Sequence, residues 1–312
     1  MDTPALLFEV VGLVAGLLFG SFLNVCIARL PEHRSVVTPR SHCLHCGHML
    51  AWYDNVPVLS WLLLRGRCRN CGQPIGVRYP LVELATGLWF ALGGHQLAVL
   101  VALPATAIST DHRVIGALDV LSFLIVGFLL IGLLVMDWET FLLPDAFTLT
   151  GTAIAAFVVC CQAIFTGTTE HQVLLPANSI HLNSAGAGRD AGNVFLTGPE
   201  AVVFGRLAAI VLVTVLLLAI RAAYRLVRRR EGLGLGDVKL MAMMTAFLGL
   251  GPSLLALFVG VLLASGYGVV LLLRGRAGGA TRLPLGSFLA LGGLLAARFG
   301  TTVWNSYTAF LQ

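Results

Sequence analysis

Long apolar runs dominate this sequence and limit the folds open to it. Eight such stretches can be read, and most reach the roughly 20 residues that a helix needs to cross a bilayer core. Their approximate bounds are 5–27, 81–103, 115–136, 145–166, 201–223, 238–252, 253–273 and 285–306. The chain is 57% hydrophobic and only 11% charged, whereas soluble domains carry about 25% charged residues. We therefore predict an all-α polytopic membrane protein with about eight transmembrane helices, of which the stretch 238–252 is short and flanked by glycines.

Arginine placement predicts the orientation of these helices. The N-terminus begins with an acid and lacks a basic leader region, so we expect a retained first helix instead of a signal peptide. The segment after it carries seven arginines against Glu32 and Asp54, and Lys and Arg near helix ends favour the cytoplasm. Alternate crossings place the basic segments 221–230 and 274–282 on that side too. The net charge of +5 then reflects orientation and contact with anionic membrane lipid, and we expect no nucleic acid partner.

These patterns divide the chain into three parts. We expect a first transmembrane helix over residues 1–28, a small cytoplasmic domain over 29–80 between helices one and two, and a transmembrane core over 81–312. Within the core, the polar segment 167–200 is rich in Gly, Ser and Asn and is predicted to be an extracytoplasmic loop. Loops of this composition and length are usually flexible.

Four cysteines in the cytoplasmic segment form two CxxC pairs, Cys43 with Cys46 and Cys68 with Cys71. A glycine follows each pair and can take the left-handed turn that such a knuckle needs. Disulfides are not expected in a reducing cytoplasm. Four thiolates suit tetrahedral Zn²⁺, and sulfur at every position makes the site structural. The spacing predicts a zinc-knuckle domain; the alternatives are four unmetallated thiols or a zinc ribbon that binds nucleic acid.

Other metal-binding residue types lie near this motif or in the apolar stretches. One of three histidines near the first knuckle could replace a cysteine, although solvent exposure is the simpler expectation; they are His42, His45 and His48. The remaining cysteines lie in or beside apolar spans, where we expect them to pack; they are Cys26, Cys160 and Cys161.

Two aspartates are predicted at the same membrane border. Asp137 lies where the third apolar stretch ends, and Asp237 lies between the fifth and the sixth. Alternate crossings place both on the cytoplasmic face, and ionisable groups at membrane depth are functional candidates because they are costly. The structural alternative is that border acids mark or cap helix ends, which applies to Asp237, Glu139 and Asp145.

The glycines before Asp237 suggest what two such aspartates do. Gly234 and Gly236 allow close backbone approach and conformations that other residues resist, so an extended substrate could lie beside Asp237. If Asp137 lies within a few ångströms, repulsion between the carboxylates raises one pKa and the pair shares a proton. The pair then offers a base for water and an acid for the scissile amide, as in aspartic proteases. Lys239 either holds a carboxylate ionised or extends towards lipid headgroups.

Six motifs in order carry a family resemblance that covers nearly the whole chain. They are "GSFLNVCIARLP", "CLHCG" with "CRNCG", the block from Asn55 to Gly87, "DWETFLLPD", "GLGLGDVKLM" and "LPLGSFLALGG". With these motifs the chain resembles the bacterial type IV prepilin peptidases, which are membrane aspartic proteases of the GxGD type.

The resemblance implies a location, a substrate class and a catalytic pair. It implies a multi-pass protein of the bacterial inner membrane that cuts type IV prepilins or type II secretion pseudopilins after a glycine, on the cytoplasmic side. It assigns catalysis to Asp137 and Asp237. It also implies that S-adenosylmethionine then methylates the new N-terminus. Glu83, at the start of the second helix, either contacts substrate or methyl donor or compensates the helix dipole.

Two other interpretations remain open. Eight spans with acids near their ends also suit a transporter with a carboxylate proton relay. Relay acids, however, lie towards mid-span, whereas Asp137 and Asp237 both lie at one border. A peptidase that has lost methylation is the second alternative, because no glycine-rich methyltransferase fingerprint occurs in the sequence.

Overall fold

The computed structural model describes residues 3–104, 106, 108–172, 199–229, 232–275 and 283–310. Within these ranges the protein is all-helical and has no strand, apart from two isolated bridges in the cysteine segment. The helices are α1 (Thr3–Arg29), α2 (Leu59–Leu63), α3 (Arg78–Ala102), α4 (Thr110–Thr140), α5 (Asp145–Gln172), α6 (Pro199–Arg228), α7 (Leu235–Leu248), α8 (Leu250–Leu273) and α9 (Leu285–Phe310). Two short 3₁₀ turns, Leu30–Glu32 and Trp52–Asn55, lie in the cysteine segment.

Seven of the described helices are long and apolar enough to cross a membrane, which makes this a multi-pass membrane protein. The eighth predicted stretch, 238–252, does not form a span of that length. Instead α7 has 14 residues, or about 21 Å of helix, and it ends at Leu248. Gly249 takes φ +81 and α8 begins at Leu250, so the expected boundary at 252 was wrong.

Helix α7 is the most enclosed helix of the bundle despite its shortness. It packs against α4, α5, α6, α8 and α9, and Leu240, Met241 and Met244 are completely buried. Arg206, near the start of α6, donates through Nη1 to the carbonyl of Phe247 at 3.3 Å. Helix α7 therefore extends from one face of the bundle towards the other. It is too short to cross a membrane alone, and the helices packed around it compensate for the missing length.

Helices α1 and α3 form the closest helix pair and carry the cysteine segment between them. Two glycines of α1 explain the approach: a methyl group on Gly16 would lie 2.6 Å from the carbonyl oxygen of Thr86, and one on Gly20 would lie 2.7 Å from Cα of Glu83. Small residues spaced four apart allow membrane helices to approach in this way. The contact fixes the first half of α3 against α1.

The predicted outer loop at 167–200 is shorter at both ends than expected. Helix α5 continues to Gln172 and α6 begins at Pro199. Residues 173–198 lie outside the described part of the chain.

Candidate active site and metal centre

Asp137 lies in the last turn of α4, where the apolar run ends, and only 6% of its surface is exposed. Its Oδ2 accepts a hydrogen bond from the backbone N–H of Ser287 at 2.7 Å. The Ser287 hydroxyl lies 3.1 Å from the same oxygen and 2.9 Å from the carbonyl of Leu134. A hydroxyl has one proton, so it donates to one of these two oxygens at a time. Helix α9 therefore supplies the donors that hold this carboxylate.

Asp237 lies in the first turn of α7, outside the seven candidate spans. Its Oδ2 accepts a hydrogen bond from the backbone N–H of Gly234 at 3.2 Å, so the carboxylate caps the helix as the structural alternative anticipated. Burial raises the pKa of Asp237 to about 6, and the charge of Asp137 raises it too. The two predicted carboxylates therefore lie close enough to interact electrostatically.

Leu143, in the turn between α4 and α5, connects the surroundings of the two aspartates. A methyl group on Gly236 would lie 3.2 Å from Cβ of Leu143, and one on Gly286 would lie 2.9 Å from its Cδ1. That same methyl group on Gly286 would lie 3.0 Å from Cγ of Asp137. The absence of side chains at both glycines thus lets the starts of α7 and α9 approach the end of α4.

The glycines before Asp237 are explained by close approach and not by an unusual backbone. Gly234 has φ −70 and ψ 149, an extended conformation that any residue can adopt. A methyl group on Gly234, however, would lie 3.1 Å from Oδ2 of Asp237. The expected conformation reserved for glycine is therefore not found at Gly234. Glycine is instead needed here because a side chain would crowd the carboxylate of Asp237.

The other border acids are held by cations on neighbouring helices. Lys239 Nζ lies 2.7 Å from Oδ1 of Asp145, so the carboxylate that Lys239 binds belongs to neither Asp137 nor Asp237. Arg78 Nη1 lies 2.5 Å from Oε2 of Glu139. Both ion pairs are partly exposed: Lys239 and Asp145 connect the starts of α7 and α5, whereas Arg78 and Glu139 connect the start of α3 to the end of α4.

Glu83 lies in the second turn of α3, because this helix begins at Arg78 and not near residue 81. Its side chain is buried, with 8% exposure. Oε2 accepts a hydrogen bond from the backbone N–H of Val58 at 2.7 Å, and the Ser21 hydroxyl donates to the same carboxyl. Glu83 therefore faces the cysteine segment and α1 instead of the open helix end.

The four cysteines of the two knuckles converge. Their sulfurs all lie within 4.8 Å of one another, and Sγ of Cys43 is 3.8 Å from Sγ of Cys71. A tetrahedron with Zn–S bonds of about 2.3 Å has sulfurs about 3.8 Å apart, so the donor set fits zinc. Gly47 and Gly72 have φ +69 and +70, which confirms the left-handed turn expected after each pair.

Backbone amides of the knuckles point at the sulfurs. The pKa of Cys46 is lowered to about 6, chiefly by the backbone N–H of His48 and then by the side-chain amide of Asn70. The pKa of Cys68 is lowered by the backbone N–H groups of Cys71 and Asn70. These donors favour thiolates, the form that binds metal. In the described part of the chain no histidine joins this cluster.

Two residues of the site were not found by sequence reasoning. Ser287 lies within the quoted motif "LPLGSFLALGG", but only the packing of α9 on α4 brings it to Asp137, 150 positions away. Arg78 was counted as one of many basic residues, and its pairing with Glu139 depends on the packing of α3 near α4. The spacing of these residues along the chain carried no signal of either contact.

Fold and site together define a polytopic helical membrane protein with a carboxylate pair at one border and a four-cysteine domain beside it. Comparison with protein families gives two matches: "Bacterial Peptidase A24 N-terminal domain" over residues 14–97 and "Type IV leader peptidase family" over residues 123–269. The chain therefore belongs to the type IV leader peptidase family, as the motifs predicted. No solved structure matches the chain significantly.

Curated relatives agree over nearly the full length. A "Prepilin leader peptidase/N-methyltransferase" of Aeromonas hydrophila is 31% identical over 99% of this chain and 96% of its own. One of Burkholderia pseudomallei is 32% identical over 93% of this chain and 84% of its own. One of Myxococcus xanthus is 67% identical, but only over 84 residues, which are 27% of this chain and 25% of that protein.

Proposed function

We propose that this protein is a membrane aspartic endopeptidase that removes the leader peptide of type IV prepilins or type II secretion pseudopilins. The observation that carries the proposal is the pair Asp137 and Asp237, which meets at one border from two helices. The relatives are named as prepilin leader peptidases. A substrate whose apolar helix lies in the bilayer presents its leader junction at this depth.

The contacts of the two carboxylates suggest different roles. Asp137 accepts a hydrogen bond from the backbone N–H of Ser287, and the Ser287 hydroxyl lies within reach of the same oxygen; both donors favour the ionised form. Asp237, with a pKa of about 6, holds the shared proton. Asp137 takes a proton from water as the water oxygen bonds to the carbonyl carbon, and Asp237 protonates the carbonyl oxygen. The C–N bond then breaks as a proton from Asp137 goes to the leaving nitrogen and Asp237 takes back a proton from a hydroxyl of the diol, which leaves a carboxylic acid and a free amine.

Aromatic side chains beside the pair offer a surface for the apolar helix of a substrate. Trp138 follows Asp137 and is 49% exposed. Its ring centroid lies 5.7 Å from that of Tyr267 and 6.2 Å from that of Phe288. Such a cluster at a membrane border suits contact with both lipid and an apolar segment. Gly234 carries no side chain beside Oδ2 of Asp237, which leaves room there for a peptide backbone.

We also propose that the protein methylates the new N-terminus, because the relatives carry N-methyltransferase in their names. S-adenosylmethionine supplies a methyl group on a positive sulfonium. When bound, it would donate this methyl group to the free amine, its sulfur would leave as a neutral thioether, and the nitrogen would release a proton to water. The amine exists only after cleavage, so the order of the two reactions is fixed.

The four-cysteine cluster is proposed to hold one structural Zn²⁺. Its geometry leaves sulfur at all four positions, so the ion has no open position for a substrate. Its role would be to fix the segment between α1 and α3. We place the protein in the bacterial inner membrane with the carboxylate pair and the cysteine domain on the cytoplasmic side, as the arginine distribution favours.

The transporter alternative finds no support in the position of the acids. Asp137 lies in the last turn of α4 and Asp237 in the first turn of α7, whereas relay acids lie towards mid-span. Purified protein incubated with a synthetic prepilin, with and without S-adenosylmethionine, tests the proposal directly. Mass spectrometry should show leader loss in both samples and a methyl increment only with the donor. An unchanged prepilin would contradict it.

A further inference from the structure

The short helix α2 in the cysteine segment presents an exposed apolar face. Leu59, Leu62 and Leu63 are all exposed in the described part of the chain, and Leu63 is 74% exposed. Residues three and four apart lie on the same side of a helix, so the three side chains form one face. A clustered apolar surface of this kind marks contact with lipid or with another protein.

Contacts of the opposite face hold α2 in this orientation. Trp61 Nε1 donates to the carbonyl of Ile75 at 3.1 Å. The Trp61 ring also packs on Gly66, where a methyl group would lie 2.8 Å from Cζ2 of the indole. The Ser60 hydroxyl donates to the carbonyl of Val56 at 2.6 Å. Because the inner face is fixed, the leucines point away from the rest of the cysteine segment.

A hydrogen bond to a membrane-spanning helix sets the depth of α2. The backbone N–H of Val58, the residue before α2, donates to Oε2 of Glu83 at 2.7 Å. Glu83 lies in the second turn of α3, about 7.5 Å along the helix axis from Arg78. The candidate membrane span of this helix also begins at Arg78. Helix α2 therefore begins at the membrane border.

The spanning helices beside α2 expose apolar side chains at the same level. Leu81 in α3 lies two residues before Glu83, and Phe22 in α1 lies two residues after Gly20, which packs on Glu83. Leu81 and Phe22 are exposed, and both lie in candidate membrane spans. Side chains exposed on such spans face lipid, so the leucines of α2 are close to the same lipid.

Two unpaired arginines follow the apolar face. Arg65 and Arg67 are exposed. In the part of the chain that the structure describes, no carboxylate lies within ion-pair distance of either, whereas Arg69 is paired with Asp54 at 2.7 Å. Long basic side chains reach the headgroup level from an apolar surface, and anionic phospholipids attract them. The charge of this surface therefore complements an anionic leaflet.

We propose that residues 59–67 form an interfacial anchor that docks the cysteine domain on anionic phospholipid. The leucines of α2 enter the boundary between headgroups and acyl chains, and Arg65 and Arg67 bind lipid phosphate groups. Interfacial helices combine an apolar face with basic residues in this way. Lipid is the occupant because the face lies at bilayer depth, on a segment joined at both ends to spanning helices. The anchor gives the domain a third attachment to the membrane, besides α1 and α3.

Photo-crosslinking of the purified full-length protein tests where the leucines lie. A photoreactive phenylalanine analogue is placed at position 63, and the protein is reconstituted in vesicles of phosphatidylethanolamine and phosphatidylglycerol. The same analogue at position 88 is the reference, because Leu88 is exposed within the candidate span of α3. After irradiation, mass spectrometry should find phospholipid on both peptides. Lipid at position 88 but none at position 63, or crosslinks from position 63 only to a second protein molecule, would overturn the anchor.

Hydrogen–deuterium exchange of the α2 amides tests the role of the arginines. Exchange should be slower in vesicles that contain phosphatidylglycerol than in vesicles of phosphatidylcholine alone. Arg65→Gln and Arg67→Gln should each reduce this difference by about fivefold, the contribution of one basic residue near an anionic surface.

Arg34→Gln is the control for these variants, because Arg34 is exposed but paired with Glu32 at 2.6 Å, and it should exchange like wild type. Wild-type exchange that does not depend on phosphatidylglycerol, or an equal effect of all three variants, would overturn the anchor. If the variants of Arg65 and Arg67 do not fold, exchange of the wild-type protein in the two lipids and the crosslink at position 63 decide.

Discussion

Ser287 shows how one side chain can set the state of the carboxylate pair. Its N–H and hydroxyl both lie within hydrogen-bond distance of Oδ2 of Asp137, and bonds to an ionised acceptor are stronger than neutral ones. With Asp137 ionised, Asp237, which accepts from the backbone N–H of Gly234 and has a pKa raised to about 6, is the carboxylate of the pair that takes up a proton more readily. The different hydrogen-bond donors to Asp137 and Asp237 therefore give the two aspartates different proton affinities.

Ser287→Ala should slow leader cleavage by about tenfold. Loss of a hydrogen bond to a charged group costs about 1.5–3 kcal/mol. We expect a cost at the lower end of this range, because the backbone N–H of residue 287 still donates to Asp137 and the lost hydroxyl divides its proton between Asp137 and Leu134. Initial rates on a synthetic prepilin measure it. Ser253→Ala is the matched control, because Ser253 is equally buried but bonds only to the carbonyl of Gly249. Equal rates for Ser287→Ala and wild type would remove Ser287 from the site.

Gly234→Ala should also reduce cleavage, here by about tenfold, because the methyl group would lie 3.1 Å from Oδ2 of Asp237. Small misplacements of a reacting group have large effects on rate. Gly205→Ala in α6, where a methyl group meets nothing within 4 Å, should leave the rate unchanged. Full activity of Gly234→Ala would show that this glycine does not serve the carboxylate.

At the scale of the element, α7 was the least predictable part of the fold. Residues 238–252 form one apolar run in the sequence, and no polar residue marks the break that Gly249 makes. What stabilises a 14-residue helix is its packing among five neighbours, and such tertiary contacts override local pattern. The seven longer helices were predictable because the bilayer imposes a length on each apolar run.

Two features of the site could be predicted, because one follows from the spacing of residues and the other from the direction in which each helix crosses the membrane. The two CxxC pairs indicated a cluster of four sulfurs, and alternate crossings indicated two aspartates at one face. The partners of Asp145, Glu139 and Glu83 were not predictable, because each lies on another helix or segment. Contacts between residues distant in sequence require the packing of helices, which hydropathy does not encode.

The cysteine domain gives a prediction at the scale of the element. Purified protein should contain about one zinc per chain, and Cys43→Ser should release it because a four-thiolate site loses much of its affinity with one ligand. Elemental analysis of protein purified without added metal measures this. Cys160→Ser, at an exposed position outside the cluster, should retain the ion. Active wild-type protein without zinc would contradict the structural assignment.

Across the whole molecule, the proposed functional residues lie at one face of the bundle. This face carries Asp137, Asp237 and the cysteine domain. Here the ion pair of Arg78 and Glu139 joins the start of α3 to the end of α4. The other carries contacts that only connect helices, such as Asp119 with Gln162 at 2.7 Å. Because α5 starts and α6 ends at the first face, Gln172 and Pro199, the helix ends that flank residues 173–198, lie towards the second.

Replacing residues 173–198 with a flexible Gly/Ser linker should leave leader cleavage largely intact. The helix ends that flank it, Gln172 and Pro199, are the ends of α5 and α6 away from the carboxylate pair, and flexible linkers can join helix ends that already pack together. Cleavage per inserted molecule is the measurement, with insertion quantified in isolated membranes. A variant that inserts normally yet fails to cleave would show that the segment serves the reaction.

The central claim is that Asp137 and Asp237 act as one catalytic pair, and their asparagine variants test it most directly. Asparagine keeps the shape of aspartate but cannot exchange a proton near neutral pH, and general acid–base assistance is worth about 10²–10⁴-fold. Glu139→Gln and Asp145→Asn remove carboxylates of partly exposed ion pairs nearby, which are worth about 1 kcal/mol or less. At matched membrane expression, both dyad variants should leave prepilin uncleaved while the two controls cleave it. Near wild-type cleavage by Asp137→Asn or Asp237→Asn would contradict the account.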